Sequence, residues 1–334
     1  MRKANHIAAL RTTESQFGTV LLVCNFTKVS NIEKFDIPTP EPGVTDIEVF
    51  ADEIKPFKNR VGETWLYIGL LIVPVRKKQY LLDRLLSLRR RIPCDSEIKC
   101  HDLDKSTKRI LASKWVDVVL TDKVYRSVFF DILGLNLSRL NLPAFGDEQF
   151  ANIYNRFFRT CVLHGVHSCF VKRKVRIIEV FHDKGEQALH LLFPWHCIYA
   201  VEGQSDRISF VQRQVKFIDS DHRATDGCAE SHLIQLIDLF MGLSSHCLDF
   251  VSGNQARTAV AQKLLPLLER MMASPLNINS SYGHAHKYLI SFFPKKTLTA
   301  RQLLDPFERR LSGFYQKRPL LLRDHLSAQG SLFS

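Results

Sequence analysis

The chain has 334 residues, 45% of them hydrophobic and 24% charged. That is enough apolar material for a sizeable core and excludes wholesale disorder. A total of 46 Lys and Arg against 34 Asp and Glu leaves a formal net charge of +12. Such a surface suits a polyanionic partner, chiefly nucleic acid (DNA or RNA), the alternative being a solvated basic face. No segment approaches the roughly 20 uninterrupted apolar residues of a membrane helix, so no membrane partner is expected. The start, Met1 to His6, lacks an apolar signal core, and eight cysteines are scattered without a disulfide framework, so a cytoplasmic location with reduced thiols is expected.

Residues 1–45 hold one apolar run, Val20 to Cys24, and then prolines at 38, 40 and 42, and read as an N-terminal arm or linker. The pattern then predicts a strand over 46–53, a connection over 54–63 containing Pro56 and Gly62, and an aromatic, branched strand over 64–73. Leucines at 81, 82, 85, 86 and 88 predict an amphipathic helix over 79–91 with a basic outer face. A helix over 105–120, a strand over 124–133, a helix over 147–164 and strands over 175–182 and 214–219 follow. A long, mostly apolar helix spans 228–250. Strands first, then strands interleaved with helices, give an α/β class with a mixed β-sheet flanked by helices. Residues 251–334 read as a helical, basic C-terminal extension broken at Pro275, Pro294 and Pro319. From 295 onward it carries eight basic residues against three acidic ones.

On the long apolar helix, Ser231, Gln235, Asp238 and Gly242 fall within a stripe about 60° wide. A polar stripe that narrow is not a solvent face; it points at something polar inside the protein. A buried Asp bonded to a local Ser, Gln or Arg is the plain alternative. Asp52, followed by Glu53, ends the first strand as read from sequence. Glu97 sits in a polar knot between two helices, and Asp183 follows the strand ending at His182. Acids at the ends of neighbouring strands cluster in space. Convergent carboxylates are what a hard divalent cation such as Mg2+ or Mn2+ requires, and paired ions of this kind cleave phosphodiesters.

At these residues the chain resembles the bacterial and phage family known as domain of unknown function 3800, within the ribonuclease-H-like superfamily. Phe50-Ala-Asp52-Glu53 followed by the Gly-containing strand Trp65 to Ile72 matches its opening signature, and Glu97-Ile-Lys99 its Glu-x-Lys element. His182-Asp183 matches a strand ending in an acid. Phe217-Ile-Asp219-Ser220 followed by Gln235-Leu-Ile-Asp238 matches its closing signature. The likeness covers about residues 46–250 and departs at Ile54-Lys55, where the family has Ser-Gly, and at Asp221-His222, where a Lys is usual. It implies a ribonuclease-H-like domain over 46–250 whose metal-binding, catalytic acids are Asp52, Glu97, Asp183 and Asp238. Asp52 would bridge the ions, and Lys99 would contact phosphate or balance the acids. Glu53, Asp219, Ser220 and Gln235 complete the candidate set.

Cys161, His164, His167 and Cys169 crowd into nine residues, without the paired spacing of structural zinc, and read as helix-end packing, as does the His284/His286 pair. Arg89-Arg-Arg91 and Lys172-Arg-Lys174 read as solvated edges lending support to a nucleic-acid path across the sheet. The expectation is a metal-dependent nuclease or phosphodiesterase; the alternative is a non-catalytic nucleic-acid-binding or complex-forming protein of the same fold.

Overall fold

Two long strands and a polar turn begin the fold. A computed structural model of the chain describes residues 42–121, 128–146, 149–170, 173–250, 252–273, 287–294, 312–313 and 320–331. The apolar run at 20–24, the arm up to residue 41, Lys172, the His284/His286 pair and most of the basic segment beyond 294 lie outside these residues. β1 (Val44–Lys58) pairs antiparallel with β2 (Thr64–Pro74). The turn between them is set by Asn59, whose side-chain oxygen accepts from the Val61 and Glu63 amides at 3.1 and 3.0 Å, and by Gly62 at φ 82°. β1 therefore does not end at Glu53. Ile54 pairs with Tyr67 and Phe57 with Trp65, and the register shift between Ile54 and Phe57 absorbs Lys55 and Pro56.

β3 (Phe129–Asn136), β4 (Lys174–Asp183), β5 (Ile208–Phe210), β6 (Val215–Ile218), β7 (Tyr288–Phe293) and β8 (Ser312–Gly313) complete one sheet. Its order is β5-β4-β1-β2-β3-β7-β8, and β6 also pairs with β4. β2 and β3 are antiparallel, whereas β4 lies parallel to β1, β5 and β6, and β7 parallel to β3. The chain is thus an α/β protein with a mixed sheet.

Alternation along the strands divides the core in two. Phe50, Tyr67, Leu71, Phe130 and Phe181 face α1 (Val75–Arg91), α2 (Ser106–Leu120) and α4 (Ser231–Asp249). Val49, Ala51, Ile68 and Leu70 face α3 (Gln149–Cys169) on the other side. Every residue of α4 except Asp238 is buried. The helix rides close over β2 because Gly69 has no side chain: a Cβ there would lie 2.9 Å from the Met241 sulfur and 3.0 Å from Ile237. At its far end, Tyr67 and Asn59 donate to the buried Asp249 carboxylate at 2.7 and 3.3 Å, tying α4 to the hairpin.

The boundary expected at residue 250 does not divide this fold. α5 (Gln255–Ala261), α6 (Leu265–Ala273) and α7 (Leu321–Ser331) add Val260, Ala261, Leu268 and Leu322 to the core under α4. β7, which the pattern of prolines concealed, is a fully buried strand inside the sheet. A long apolar helix leaves surface that only later chain covers, so the C-terminal residues are drawn in by the hydrophobic effect.

A carboxylate-lined cleft as candidate active site

Among the described residues β1 keeps two neighbours only as far as Ala51, which pairs with His182; from Asp52 onward β2 alone continues beside it. Where β4 stops, an opening forms at the edge of β1. Asp52 faces α4 from the β1 side of this opening, and Asp183, the last residue of β4, faces the same way by alternation from Phe181. Gly69 sits directly across the pair of strands from Asp52. The close approach it permits brings Asp238, next to Ile237, over the same place. A cavity of about 470 Å³ results, lined by Asp52, Glu97, Asp183 and Asp238 together with Glu53, Lys99, Ser220 and Gln235.

Each of three acids is held by one backbone amide. Asp52 accepts from the Glu53 N–H at 2.7 Å, Asp183 from the Ser220 N–H at 3.0 Å and Asp238 from the Cys100 N–H at 3.0 Å. Among the described residues the second oxygen of each carboxylate has no hydrogen bond. Asp238 is therefore not the buried acid satisfied by a local Ser, Gln or Arg that the polar stripe alone allowed. Glu97 is engaged at both ends, accepting from the Ser220 hydroxyl and pairing with Lys99 at 3.1 Å.

The polar stripe of α4 reads the loop that carries Glu97. The Gln235 side-chain oxygen accepts from the Ile98 amide at 3.1 Å and from Arg89 at 2.7 Å, and its amide nitrogen donates to the Ser220 carbonyl at 2.6 Å. Arg89 also donates to the Cys94 and Ser96 carbonyls at 2.6 and 2.8 Å. It is buried, not part of a solvated basic edge. Asp219 does not join the cleft: its carboxylate accepts from the Asp221 amide at 2.8 Å, and its carbonyl from the Ser231 hydroxyl.

Burial dominates the electrostatics. It pushes Asp52 well above the usual carboxylate range, and the neighbouring charges of Asp238, Asp183 and Glu53 push it further. Asp238 is raised to about 6 by burial, against the opposing pull of the Cys100 amide. Asp183 is raised by burial and held back by its hydrogen bond from Ser220. Three acids of one cavity thus resist ionisation in one another's presence.

Glu53, one residue along, points to the opposite face. Among the described residues its Oε2 is buried without a hydrogen bond and lies 3.8 Å from His182, whose other ring nitrogen donates to the Asp183 carbonyl at 2.7 Å. Burial holds His182 down to about 4, so the ring is neutral and accepts from the Tyr154 hydroxyl at 2.7 Å.

The donor set is all oxygen, which suits a hard cation of the Mg2+ or Mn2+ kind. As the side chains stand, no three His, Cys, Asp or Glu among the described residues form a ready-made cage. The crowded cysteines and histidines of α3 do not form one either: His164 pairs with Asp131 at 3.0 Å and His167 with Ser205 at 2.8 Å. Four lining residues, Phe57, His101, Ser245 and Arg257, escaped sequence reading. His101 lies two residues beyond Lys99, a signal in principle, whereas Arg257 has no local pattern to announce it.

Fold and site together define an α/β protein whose mixed sheet opens into a carboxylate-lined cleft. No protein-family model, curated protein or solved structure matches the chain. Among the described residues no helix is long and apolar enough to cross a membrane.

Proposed function

We propose that the chain is a metal-dependent nuclease of the ribonuclease-H-like kind, hydrolysing phosphodiester bonds of nucleic acid in the cleft. The observation that carries this reading is the trio Asp52, Asp183 and Asp238. Each is anchored through one oxygen by a backbone amide, with the other left over, and all line one cavity of a protein with net charge +12. The order β3-β2-β1-β4-β5, antiparallel through β1 and parallel after it, is consistent with that superfamily.

Asp52 would hold a divalent cation from the centre of the sheet, with Asp183 and Asp238 on either side. Such an ion supplies positive charge to the phosphate oxygens of the substrate. The backbone amides fix the carboxylates before substrate arrives, so little reorganisation is needed at the reacting phosphorus. Lys99, tied to Glu97, places a second positive charge at the rim.

The test is cleavage of single- and double-stranded DNA and RNA with Mg2+ or Mn2+, comparing wild type with Asp52→Asn and Asp238→Asn. Metal-dependent cleavage lost in both variants supports the proposal; cleavage that survives both substitutions sinks it. One observation favours a second reading. Glu97 is already neutralised by Lys99, as suits a site that binds nucleic acid without cutting it. Tight binding with no cleavage under any metal would favour that protein.

A further inference from the structure

We infer that Arg257 binds a backbone phosphate of single-stranded nucleic acid, adjacent to the phosphate held at the carboxylates. The inference rests on the proposed nucleic-acid function and adds a residue outside the stretch that resembles the nuclease family.

Arg257 lies in the first turn of α5, whose cap is Asn254: the Asn254 side-chain oxygen accepts from the Arg257 amide at 3.0 Å. Its guanidinium is held at one atom. Nε donates to the Cys100 carbonyl at 3.1 Å, and among the described residues no carboxylate pairs with it. Among the described residues the two terminal nitrogens, the fork that recognises phosphate in two-point fashion, have no hydrogen-bond partner, and Arg257 lines the wall of the acid-lined cavity. An arginine without an acid partner, next to a cluster of acids, is placed for an anion that arrives with the substrate.

Cys100 measures the separation. Its amide donates to Asp238 at 3.0 Å while its carbonyl receives Arg257 at 3.1 Å. One residue spans about 3.6 Å, so carboxylate and guanidinium stand no more than about 10 Å apart. That is the scale of one step between neighbouring phosphates along a strand. His101 follows Cys100, lines the same wall and lies close enough to Asp238 to favour its ionised form. Phe57, stacked on Tyr67 with ring centroids 6.1 Å apart, presents an aromatic surface to the cavity. Stacking on such a ring requires an unpaired base.

The experiment measures anisotropy of a fluorescein-labelled oligothymidylate with Mg2+, in an Asp52→Asn background that suppresses cleavage. Arg257→Gln keeps a donor for the Cys100 carbonyl but removes the charge and the fork. It is expected to weaken binding about tenfold and to lower the slope of log affinity against log salt by about one. Arg257→Lys, which keeps the charge, should recover part of the loss. Lys77→Ala removes one exposed charge from α1, away from the cleft, and should change affinity less than twofold. Thermal midpoints of all three variants establish that they are folded. Unchanged binding in Arg257→Gln, or a loss equal to that in Lys77→Ala, overturns the inference. The parent reading fails separately: Arg257-dependent binding by a wild type that never cleaves removes the nuclease and leaves this subsite standing.

Discussion

Gly242 and Cys100 stand so close that a Cβ on the glycine would lie 2.4 Å from the cysteine Cβ and 2.6 Å from its sulfur. Gly242 is one helical turn beyond Asp238, and Cys100 supplies the amide that holds that acid. The missing side chain lets the loop descend onto α4 far enough for the hydrogen bond to form.

Gly242→Ala should therefore push the Cys100 loop away, costing about 1–3 kcal/mol of stability by overpacking and at least a tenfold loss of cleavage rate. Cys100→Gly in the same chain vacates the space and should restore most of both. A double-mutant cycle by urea unfolding and by rate checks this; additive losses would show that the two sites are uncoupled.

Stability should fall as pH rises through the Asp238 titration. Its ordinary value of 3.8 is raised to about 6 in the folded state. The fold therefore binds the proton more tightly than the unfolded chain between about pH 4 and 6, and stability drops across that window before levelling off. Asp238→Asn removes the effect. In EDTA the variant should exceed the parent at about pH 8 by on the order of 3 kcal/mol, with the difference vanishing towards about pH 4. Parallel pH profiles from urea unfolding would contradict this.

Mg2+ or Mn2+ should stabilise the wild type at neutral pH, because the cation relieves the burial and mutual repulsion that raise Asp52. At a hundredfold excess over the dissociation constant the gain is about 2.7 kcal/mol. Differential scanning fluorimetry should show it as a higher melting temperature, and Asp52→Asn should abolish the rise. A rise of equal size in the variant would place the ion elsewhere.

Arg89→Met should be among the most damaging surface-distant substitutions. It removes the Arg89 hydrogen bonds to the Cys94 and Ser96 carbonyls and leaves the Gln235 oxygen with the Ile98 amide alone, at a cost of about 2–4 kcal/mol. Arg89→Lys should rescue little, since a single ammonium cannot reproduce the planar fork that spans three acceptors. Chemical denaturation of both variants decides the point.

Much of the cleft was legible in sequence because it follows from period and polarity. The narrow stripe of Ser231, Gln235, Asp238 and Gly242 on an apolar helix forced an inward-facing acid, and Asp52 and Asp183 were marked by their strands. What escaped depends on contacts between distant residues. β1 was cut short at Glu53 because Pro56 looks like a terminator, whereas the bulge carries it within a continuing hairpin. β7 looked like part of a helical tail until β3 offered it an open edge. Arg89 was one of three consecutive arginines, and nothing local distinguishes the one that turns inward. Arg257 needed the fold to bring it to Cys100, 157 residues away.

Asp52 and Glu53 serve opposite faces of β1, one looking into the cleft and the other towards His182. A slip of β1 by one residue against its neighbours would exchange them, along with every core side chain of the strand. The misregistered chain would still own two adjacent carboxylates, each now on the wrong side. Pairing fidelity in the first hairpin is therefore a condition of assembling the acid-lined cleft and not of stability alone, and the register shift at Lys55-Pro56 breaks the monotony of that ladder.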